Sequence, residues 1–169
     1  MQARIFIIHS ENDKKILERL IREYHEQTFG ETTLQIRFLN SSMNECLGED
    51  FGEKIEEEIK NSFLVIAIIS PNSKTSVWVN QEIGYAKGKG KRIIPMKERS
   101  MAREGLGFIH SNIDAQLYSV GQKKFRRLDN FFRKIFGGRK INQVLKNPVA
   151  KPVKESFKLH LRKAEPDVV

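Results

Sequence analysis

The feature that most constrains the fold is an apolar run, Phe63–Ile69, with the sequence FLVIAII. Its side chains are apolar at every position, so both faces of an extended chain would be hydrophobic. This pattern is typical of a central strand in a parallel sheet that is covered by helices on both sides. The run therefore predicts an α/β domain.

The segments around this run alternate between strand and helix character. Four further segments are predicted to be strands: Arg4–Ile8, Leu34–Phe38, Arg92–Met96 and Gln116–Val120. Helical spacing of apolar residues follows Asp13, a plausible N-cap, and follows Asp50, which has Glu53 three residues later as in a capping box. A third helix is expected between Ser70 and Gly88, after a loop, and a fourth over residues 125–136. This alternation of five strands with four helices indicates right-handed βαβ units, for which the commonest strand order is 2-1-3-4-5.

This order predicts where a ligand would bind. In a sheet of this kind, ligands lie at the carboxyl ends of the first and third strands, where the winding of the chain reverses. Those ends carry His9 with Ser10, and Ser70 with Pro71. The helix after the third strand contains the only tryptophan of the chain.

That tryptophan, Trp78, lies four residues before Glu82, so the two share one face of the helix. An aromatic ring beside a carboxylate suits the wall of a crevice, since a carboxylate can stabilise an oxocarbenium-like transition state or attack it. The spacing alone is also what a half-buried Trp with a surface Glu would give, and that simpler arrangement is the commoner one. Both interpretations stay open on the residues themselves.

Other familiar nucleotide and phosphate motifs are absent. No GxGxxG follows the first strand, and GKGK at residues 88–91 lacks the spacing of a P-loop. Ser70 stands where a response-regulator phosphoacceptor aspartate would be. The four histidines show no metal-ligand spacing and Cys46 is the single cysteine, so we expect neither a metal site nor a disulfide framework.

Charge is distributed unevenly along the chain. The formal net charge is +9, yet residues 121–169 hold 14 Lys or Arg against 4 Asp or Glu. Such a segment can contact nucleic acid or another anionic surface, or it can be a solvated tail. We expect one domain over residues 1–137 and a basic C-terminal tail or small extension over residues 138–169. No apolar run is long enough for a membrane span or a secretory signal, so a cytoplasmic protein is expected.

The order of these segments resembles that of a TIR (Toll/interleukin-1 receptor-like) domain. RIFIIHSENDKKILERL is similar to the opening strand, turn and helix of that family. GEDFGEKIEEEIKNSFLVIAIISPNSKTSVWVNQEIGYAKGKGKRIIPM is similar to its central part, including the ISPNS exit from the third strand, the S-x-W-x-x-x-E helix and the IIP strand. The resemblance covers residues 3–137. It implies a flavodoxin-like fold, with a five-stranded parallel sheet in the order 2-1-3-4-5 and helices on both faces.

The prokaryotic-type, NAD-cleaving branch of the family implies a function and a site. Its catalytic residue is the glutamate of S-x-W-x-x-x-E, which is Glu82 here. The substrate-binding residues that the resemblance implies are His9, Ser10 and Asp13 after the first strand, Gly48, Asp50 and Phe51 in the loop before the second helix, Ser70 after the third strand, and Ser76 and Trp78 in the motif. NAD+ would be the substrate, cleaved at the nicotinamide–ribose bond to nicotinamide and ADP-ribose or a cyclic isomer, and no separate cofactor is expected.

The resemblance also implies partners and leaves two alternatives. Self-association through TIR–TIR contacts is expected, with a role in immune or stress signalling and with another TIR-containing or effector protein as a further partner. One alternative is a TIR interaction scaffold without enzymatic activity. The other is an enzyme similar to the nucleoside deoxyribosyltransferases, which are small α/β proteins with a key glutamate.

Overall fold

The computed structural model describes residues 1–39, 51–101, 115–119, 121 and 124–137. These residues form an α/β domain around one sheet. Its strands are β1 Gln2–Ile8, β2 Thr28–Phe29, β3 Thr32–Arg37, β4 Leu64–Ile69, β5 Ile93–Glu98 and β6 Gln116–Tyr118. Its helices are α1 Lys14–Tyr24, α2 Phe51–Asn61, α3 Pro71–Lys74, α4 Val77–Gly88 and α5 Arg126–Phe136, with short 3-10 turns at Glu11–Asp13 and Arg99–Met101. The basic segment 138–169 and the predicted cap Asp50 lie outside the described residues.

The sheet corrects the predicted strand number. Its order is β2-β3-β1-β4-β5-β6, and β2 runs antiparallel to β3, so the described sheet is mixed and has six strands where five parallel strands were predicted. The remaining pairs, β3 with β1, β1 with β4, β4 with β5 and β5 with β6, are all parallel. Counted without β2, the parallel strands follow one another as the alternation of segments predicts. The correction therefore concerns the edge of the sheet beyond β3.

The added strand β2 forms a tight hairpin with β3. Thr28 pairs with Thr33 and Phe29 with Thr32, which leaves Gly30 and Glu31 as the turn. Gly30 has a φ of +60°, and a Cβ there would lie 2.6 Å from the carbonyl oxygen of Phe136. Only glycine satisfies both constraints at low cost.

The long run that constrains the sequence becomes the buried centre of the sheet. Every residue of β4 is buried, and alternate residues of β4 belong to different cores. Leu64, Ile66 and Ile68 face a core that is shared with α1 and α5. Val65, Ala67 and Ile69 face a core that is shared with α2 and α4. This arrangement confirms helices on both faces of the sheet.

Helix α5 covers one face of the sheet with aromatic side chains. Phe125 just before it, and Phe132 and Phe136 within it, are buried in the core that contains α1. The Tyr24 ring of α1 meets the Phe132 ring edge-on at 5.2 Å, and the Tyr24 hydroxyl donates a hydrogen bond of 2.7 Å to Asp129. The helical pattern over residues 125–136 is thus confirmed as a core helix.

Two wider features of the described residues bear on function. None of their helices is both long enough and apolar enough to cross a bilayer. In the same part of the chain, His, Cys, Asp and Glu side chains form no group of three or more that could hold a metal ion.

Candidate functional site

Polar residues from two loops meet where β1 and β4 end. Asp13 is buried, with 6% of its surface exposed, and its carboxylate accepts a 2.7 Å hydrogen bond from the Ser70 hydroxyl. Its other oxygen accepts a 3.0 Å hydrogen bond from the side-chain amide of Asn72. β1 and β4 are adjacent parallel strands, so their carboxyl ends lie at the same edge of the sheet. The fold therefore brings together Asp13 and Ser70, which are 57 positions apart in the sequence. Two of the sequence-predicted residues, Asp13 and Ser70, are in direct contact.

The role of Asp13 differs from the predicted N-cap. Asp13 does occupy the N-cap position of α1, but its side chain makes no capping hydrogen bond. The Ser10 hydroxyl instead accepts from the Asn12 backbone N–H at the start of the 3-10 turn. Asp13 is turned toward β4, where its carboxylate is needed to pair the buried hydroxyl of Ser70.

Replacing Asp13 should therefore destabilise the protein. Asp13→Ala leaves the Ser70 hydroxyl and the Asn72 amide without their acceptor, and we expect a loss of about 2–3 kcal/mol in the free energy of unfolding. Urea unfolding followed by far-UV circular dichroism measures it. Glu18→Ala, an exposed acidic residue on α1, is the matched control and should change stability by less than about 0.5 kcal/mol. Equal stability of Asp13→Ala and the wild type would contradict the structural role.

The segment after β4 begins with a short helix where the sequence predicted a loop. The Ser70 hydroxyl accepts hydrogen bonds from the backbone N–H groups of Asn72 and Ser73, and the Ser73 hydroxyl accepts from the Ser70 N–H at 2.8 Å. This capping box, with Pro71 at the first turn, starts α3. Ser76 then caps α4 by accepting from the Val79 N–H at 3.3 Å. The serine of S-x-W-x-x-x-E thus fixes where the helix with Trp78 and Glu82 begins.

Trp78 and Glu82 lie on this helix with different degrees of burial. Trp78 is 58% exposed and its neighbour Val77 is 68% exposed, so an apolar surface opens at the first turn of α4. Glu82 is half-buried, between the core residues Val79 and Ile83 in the sequence of the helix. The simpler interpretation of the sequence was a half-buried Trp and a surface Glu. In the structure Trp78 is exposed and Glu82 is half-buried, so neither residue matches that interpretation.

The environment of Glu82 changes its acid–base behaviour. Burial raises the pKa of the Glu82 carboxyl to about 7, because desolvation penalises the charged form. The described residues provide no hydrogen bond or ion pair that would offset this. Carboxyl groups whose pKa is raised by burial are more common at functional sites than elsewhere in proteins.

His9 sits at the end of β1 with one ring nitrogen unsatisfied. Its Nδ1 lies 3.0 Å from the Ser10 carbonyl oxygen, to which it can donate, and its ring meets Phe38 edge-on at 6.1 Å. Its Nε2 is buried and has no hydrogen-bond partner among the described residues. A donated Nδ1 proton leaves Nε2 as a buried acceptor.

The predicted residues are thus divided among three places. Ser10, Asp13 and Ser70 form one bonded cluster, His9 lies beside it, and Ser76, Trp78 and Glu82 are on α4, with no described hydrogen bond between Glu82 and the cluster. Gly48 and Asp50 lie outside the described residues, as does the side chain of Phe51.

Asn72, Glu98 and Tyr118 were not predicted from the sequence. They line a cavity with Asp13. Only their positions, at or just after the ends of β4, β5 and β6, could have indicated them.

Comparison with known proteins identifies the family. The family model described as "TIR domain" matches residues 5–128. None of the curated proteins matches the sequence at a significant level. Among solved structures, the TIR domain of the Toll-related receptor TRR-2 from Hydra magnipapillata is similar, with 17% identity over 85% of this chain and 98% of that chain and a TM-score of 0.47.

A second solved structure shares the fold. The CMP N-glycosidase BcmB from Clostridium botulinum has 20% identity over 76% of this chain and 98% of that chain, with a TM-score of 0.51. The family model, which spans most of the chain from β1 into α5, shows that the chain belongs to the TIR domain family.

Proposed function

We propose that this TIR domain cleaves NAD+ at the nicotinamide–ribose bond, with Glu82 as the catalytic carboxylate. The observation that carries the proposal is the half-buried Glu82 with its raised pKa, in the S-x-W-x-x-x-E sequence of α4. Some members of the family have this activity and others act only as interaction modules. The raised pKa favours the enzyme, because a purely structural role gives no reason to desolvate an unpaired carboxyl group.

The chemistry requires one negative group at the reacting ribose. Nicotinamide leaves as a neutral ring from a cationic one, so no general acid has to protonate it. The ionised Glu82 would hold the ribose hydroxyls and stabilise the positive charge that develops as the bond breaks. Water, or the adenine of the same molecule, then forms the new bond to C1′, giving ADP-ribose or a cyclic isomer.

Self-association would complete the site in this proposal. Trp78 and Val77 expose adjacent apolar side chains at the start of the helix that carries Glu82. Burial of such a patch against a second copy would remove apolar surface from water close to the catalytic residue. We therefore expect activity to rise more steeply than in proportion to protein concentration.

A second candidate is cleavage of the N-glycosidic bond of a nucleotide. The similar fold of the protein named CMP N-glycosidase, at a TM-score of 0.51, supports this class of bond, and its low identity supports nothing finer. This candidate belongs with the nucleoside-processing alternative that the sequence left open. It uses the same type of carboxylate but a different leaving group.

Product analysis separates these functions. The protein is incubated over a range of concentrations, with and without a crowding agent, with NAD+ or with CMP, and nicotinamide and cytosine are measured by chromatography. We expect nicotinamide release from NAD+ that is absent in Glu82→Ala. Cytosine release without nicotinamide release would favour the second candidate. If the wild type and Glu82→Ala are equally inert on both substrates, the domain is an interaction scaffold and the proposal is wrong.

A further inference from the structure

A basic surface lies at the amino-terminal edge of the sheet, opposite the edge where Asp13 and Ser70 meet. The parallel strands begin at this edge, and the helices that connect them end there, because each helix returns the chain from the carboxyl end of one strand to the start of another. Several side chains at these strand starts and helix ends are cationic and exposed or half-buried. We call six of them the basic edge: Arg4, Lys60, Lys89, Lys91, Arg92 and Lys134.

Lys91 fixes the end of α2 beside the loop that follows α4. Its ammonium group donates hydrogen bonds to the backbone carbonyl oxygens of Lys60 at 2.6 Å and of Ser62 at 2.9 Å. An ammonium group has three donors, so one remains for a ligand. Lys89 is exposed, with its ammonium nitrogen 5.3 Å from the centre of the Tyr85 ring. The ends of α2 and α4 therefore bring three cations to one surface.

The starts of β1 and β5 extend this surface. The Arg4 carbonyl accepts a 2.8 Å hydrogen bond from the Phe63 N–H, and the Arg92 carbonyl accepts one of 2.9 Å from the Val65 N–H. The two arginines thus flank the start of β4, with their backbones about 10 Å apart, which is two strand spacings. The Arg92 guanidinium lies 4.9 Å from the centre of the Phe131 ring. A guanidinium group that stacks on a ring still presents its in-plane N–H donors to a phosphate.

The carboxylates near the end of α2 oppose only part of this charge. Glu56 pairs with Lys60 at 3.4 Å, and Glu58 pairs with Arg37 at 2.8 Å. Glu57 is exposed and remains to oppose the other five cations of the basic edge. The last turns of α4 and α5 lie within the described residues and hold no acidic residue. The basic edge is therefore positive after its ion pairs are counted.

The chain continues from this edge into the basic segment 138–169. The Phe136 ring packs at 5.2 Å on the ring of Phe63, just before β4, so α5 ends at the amino-terminal edge of the sheet. Segment 138–169 then holds 8 Lys or Arg against 3 Asp or Glu. The excess of cations thus continues along the sequence from the folded edge into the segment that follows it.

Nucleic acid suits this surface better than a bilayer does. Clustered Lys and Arg bind a phosphate backbone without sequence selection, because they release its condensed counterions. Attachment to an anionic bilayer usually adds apolar side chains that enter the interface. Among the described residues, the large apolar side chains that are exposed are Met1, Val77 and Trp78. Val77 and Trp78 begin α4 at the opposite edge, which leaves Met1 for the basic edge.

We propose that the basic edge binds nucleic acid through its phosphate backbone. The cations lie along one edge of the sheet, so they can follow successive phosphates, and they read no base sequence. This inference goes beyond the cleavage of NAD+ and does not depend on it, because none of the six cations belongs to the proposed catalytic site. The two ligands would occupy opposite edges of the sheet.

Fluorescence anisotropy of the full chain with a labelled DNA duplex tests the surface. We expect saturable binding to a duplex of about 20 base pairs in about 50 mM salt, with an affinity that falls steeply as salt is added. Lys89→Ala/Arg92→Ala should weaken binding about tenfold and lower the slope of log affinity against log salt by about 2, since each lost phosphate contact removes about one unit. Far-UV circular dichroism checks that the variant is folded.

Two further variants separate the position of the charge from its amount. Lys14→Ala/Lys15→Ala removes the same charge from two exposed lysines at the start of α1, at the opposite edge, and should change the affinity by less than about twofold. Lys89→Arg/Arg92→Lys keeps both charges and should bind within about twofold of the wild type, because a phosphate backbone is recognised by charge.

Several outcomes would overturn the proposal. One is the absence of DNA binding at about 100 µM protein in about 50 mM salt. Another is wild-type affinity in Lys89→Ala/Arg92→Ala, which would place the contact outside the basic edge. An equal loss in the Lys14→Ala/Lys15→Ala control would show that only net charge matters. Sedimentation with vesicles that contain about 30% phosphatidylserine covers the other anionic partner, and binding to vesicles without binding to DNA would identify a membrane surface instead.

Discussion

Glu82→Gln is expected to lower the rate of nicotinamide release from NAD+ by about 10²- to 10³-fold. The amide has nearly the shape of the carboxyl group but carries no charge, so it cannot stabilise the positive charge that develops on the ribose. Single-turnover measurements at saturating NAD+ would show the loss in the chemical step rather than in substrate binding. The exposed residue Glu18 on α1 offers a matched control, since Glu18→Gln makes the same chemical change at an exposed position and should leave the rate unaltered.

The pH dependence of the wild type provides a second readout of the same residue. Only the ionised carboxylate can stabilise a cation, and burial raises its pKa to about 7. The rate should therefore rise with pH through about 7 and then level off, and this limb should vanish in Glu82→Gln. A rate that falls across the same interval would mean that the protonated acid is the active form, which contradicts the proposed mechanism.

Glu82→Gln should also have a large effect on stability. It should raise the free energy of unfolding above neutral pH, whereas it lowers activity. Glu82 has a folded-state pKa of about 7 against an ordinary value of 4.5, so the folded protein holds this proton more tightly than the unfolded chain. Below pH 4.5 the group is protonated in both states and contributes nothing. As the pH rises from 4.5 to 7, the unfolded chain ionises first and the free energy of unfolding falls, by up to about 3 kcal/mol above pH 7.

Glu82→Gln removes this titration and should therefore be more stable than the wild type at pH 8. The gain should approach about 3 kcal/mol there and disappear near pH 4, as urea unfolding by far-UV circular dichroism would show. Glu18→Gln should not differ from the wild type in the same pH-dependent way. A Glu82→Gln variant with wild-type stability at both pH values would show that the carboxyl group is solvated in solution, and would weaken the proposed function with it.

Glu82→Gln is thus expected to abolish activity and to increase stability, so the wild type keeps Glu82 at a cost in stability. A residue whose removal increases stability and eliminates activity is one that packing alone would not retain. This combination separates a catalytic carboxylate from an interaction scaffold, for which Glu82→Gln would change stability only.

The sequence predicted those parts of the fold that depend on local pattern. The uniformly apolar β4 and the helical spacing of Ile16, Leu17, Leu20 and Tyr24 in α1 are each visible within one short segment, and the structure buries all of them. Strand β2 was missed because its two residues are too few to show a period. Its antiparallel pairing depends instead on the turn at Gly30, where the backbone φ is +60°.

The site was less accessible to prediction because its contacts are distant in sequence. Asp13 was predicted as a cap from its neighbours, whereas its partner Ser70 lies 57 residues away and is brought near by the pairing of β1 with β4. Tyr118 reaches the same region from the far edge of the sheet. The raised pKa of Glu82 likewise depends on how deeply α4 packs, which no spacing in the sequence reports.

The aromatic helix α5 determines how short a working version of this protein can be. The family match ends at residue 128, but the buried side chains of Phe132, Ile135 and Phe136 lie beyond that point, and the Phe136 carbonyl lies against the Gly30 turn. A polypeptide trimmed to the matched region would leave the α1 face of the sheet uncovered, and its exposed apolar surface would promote aggregation. Expression of this domain for enzymology or crystallisation should therefore extend through Gly137.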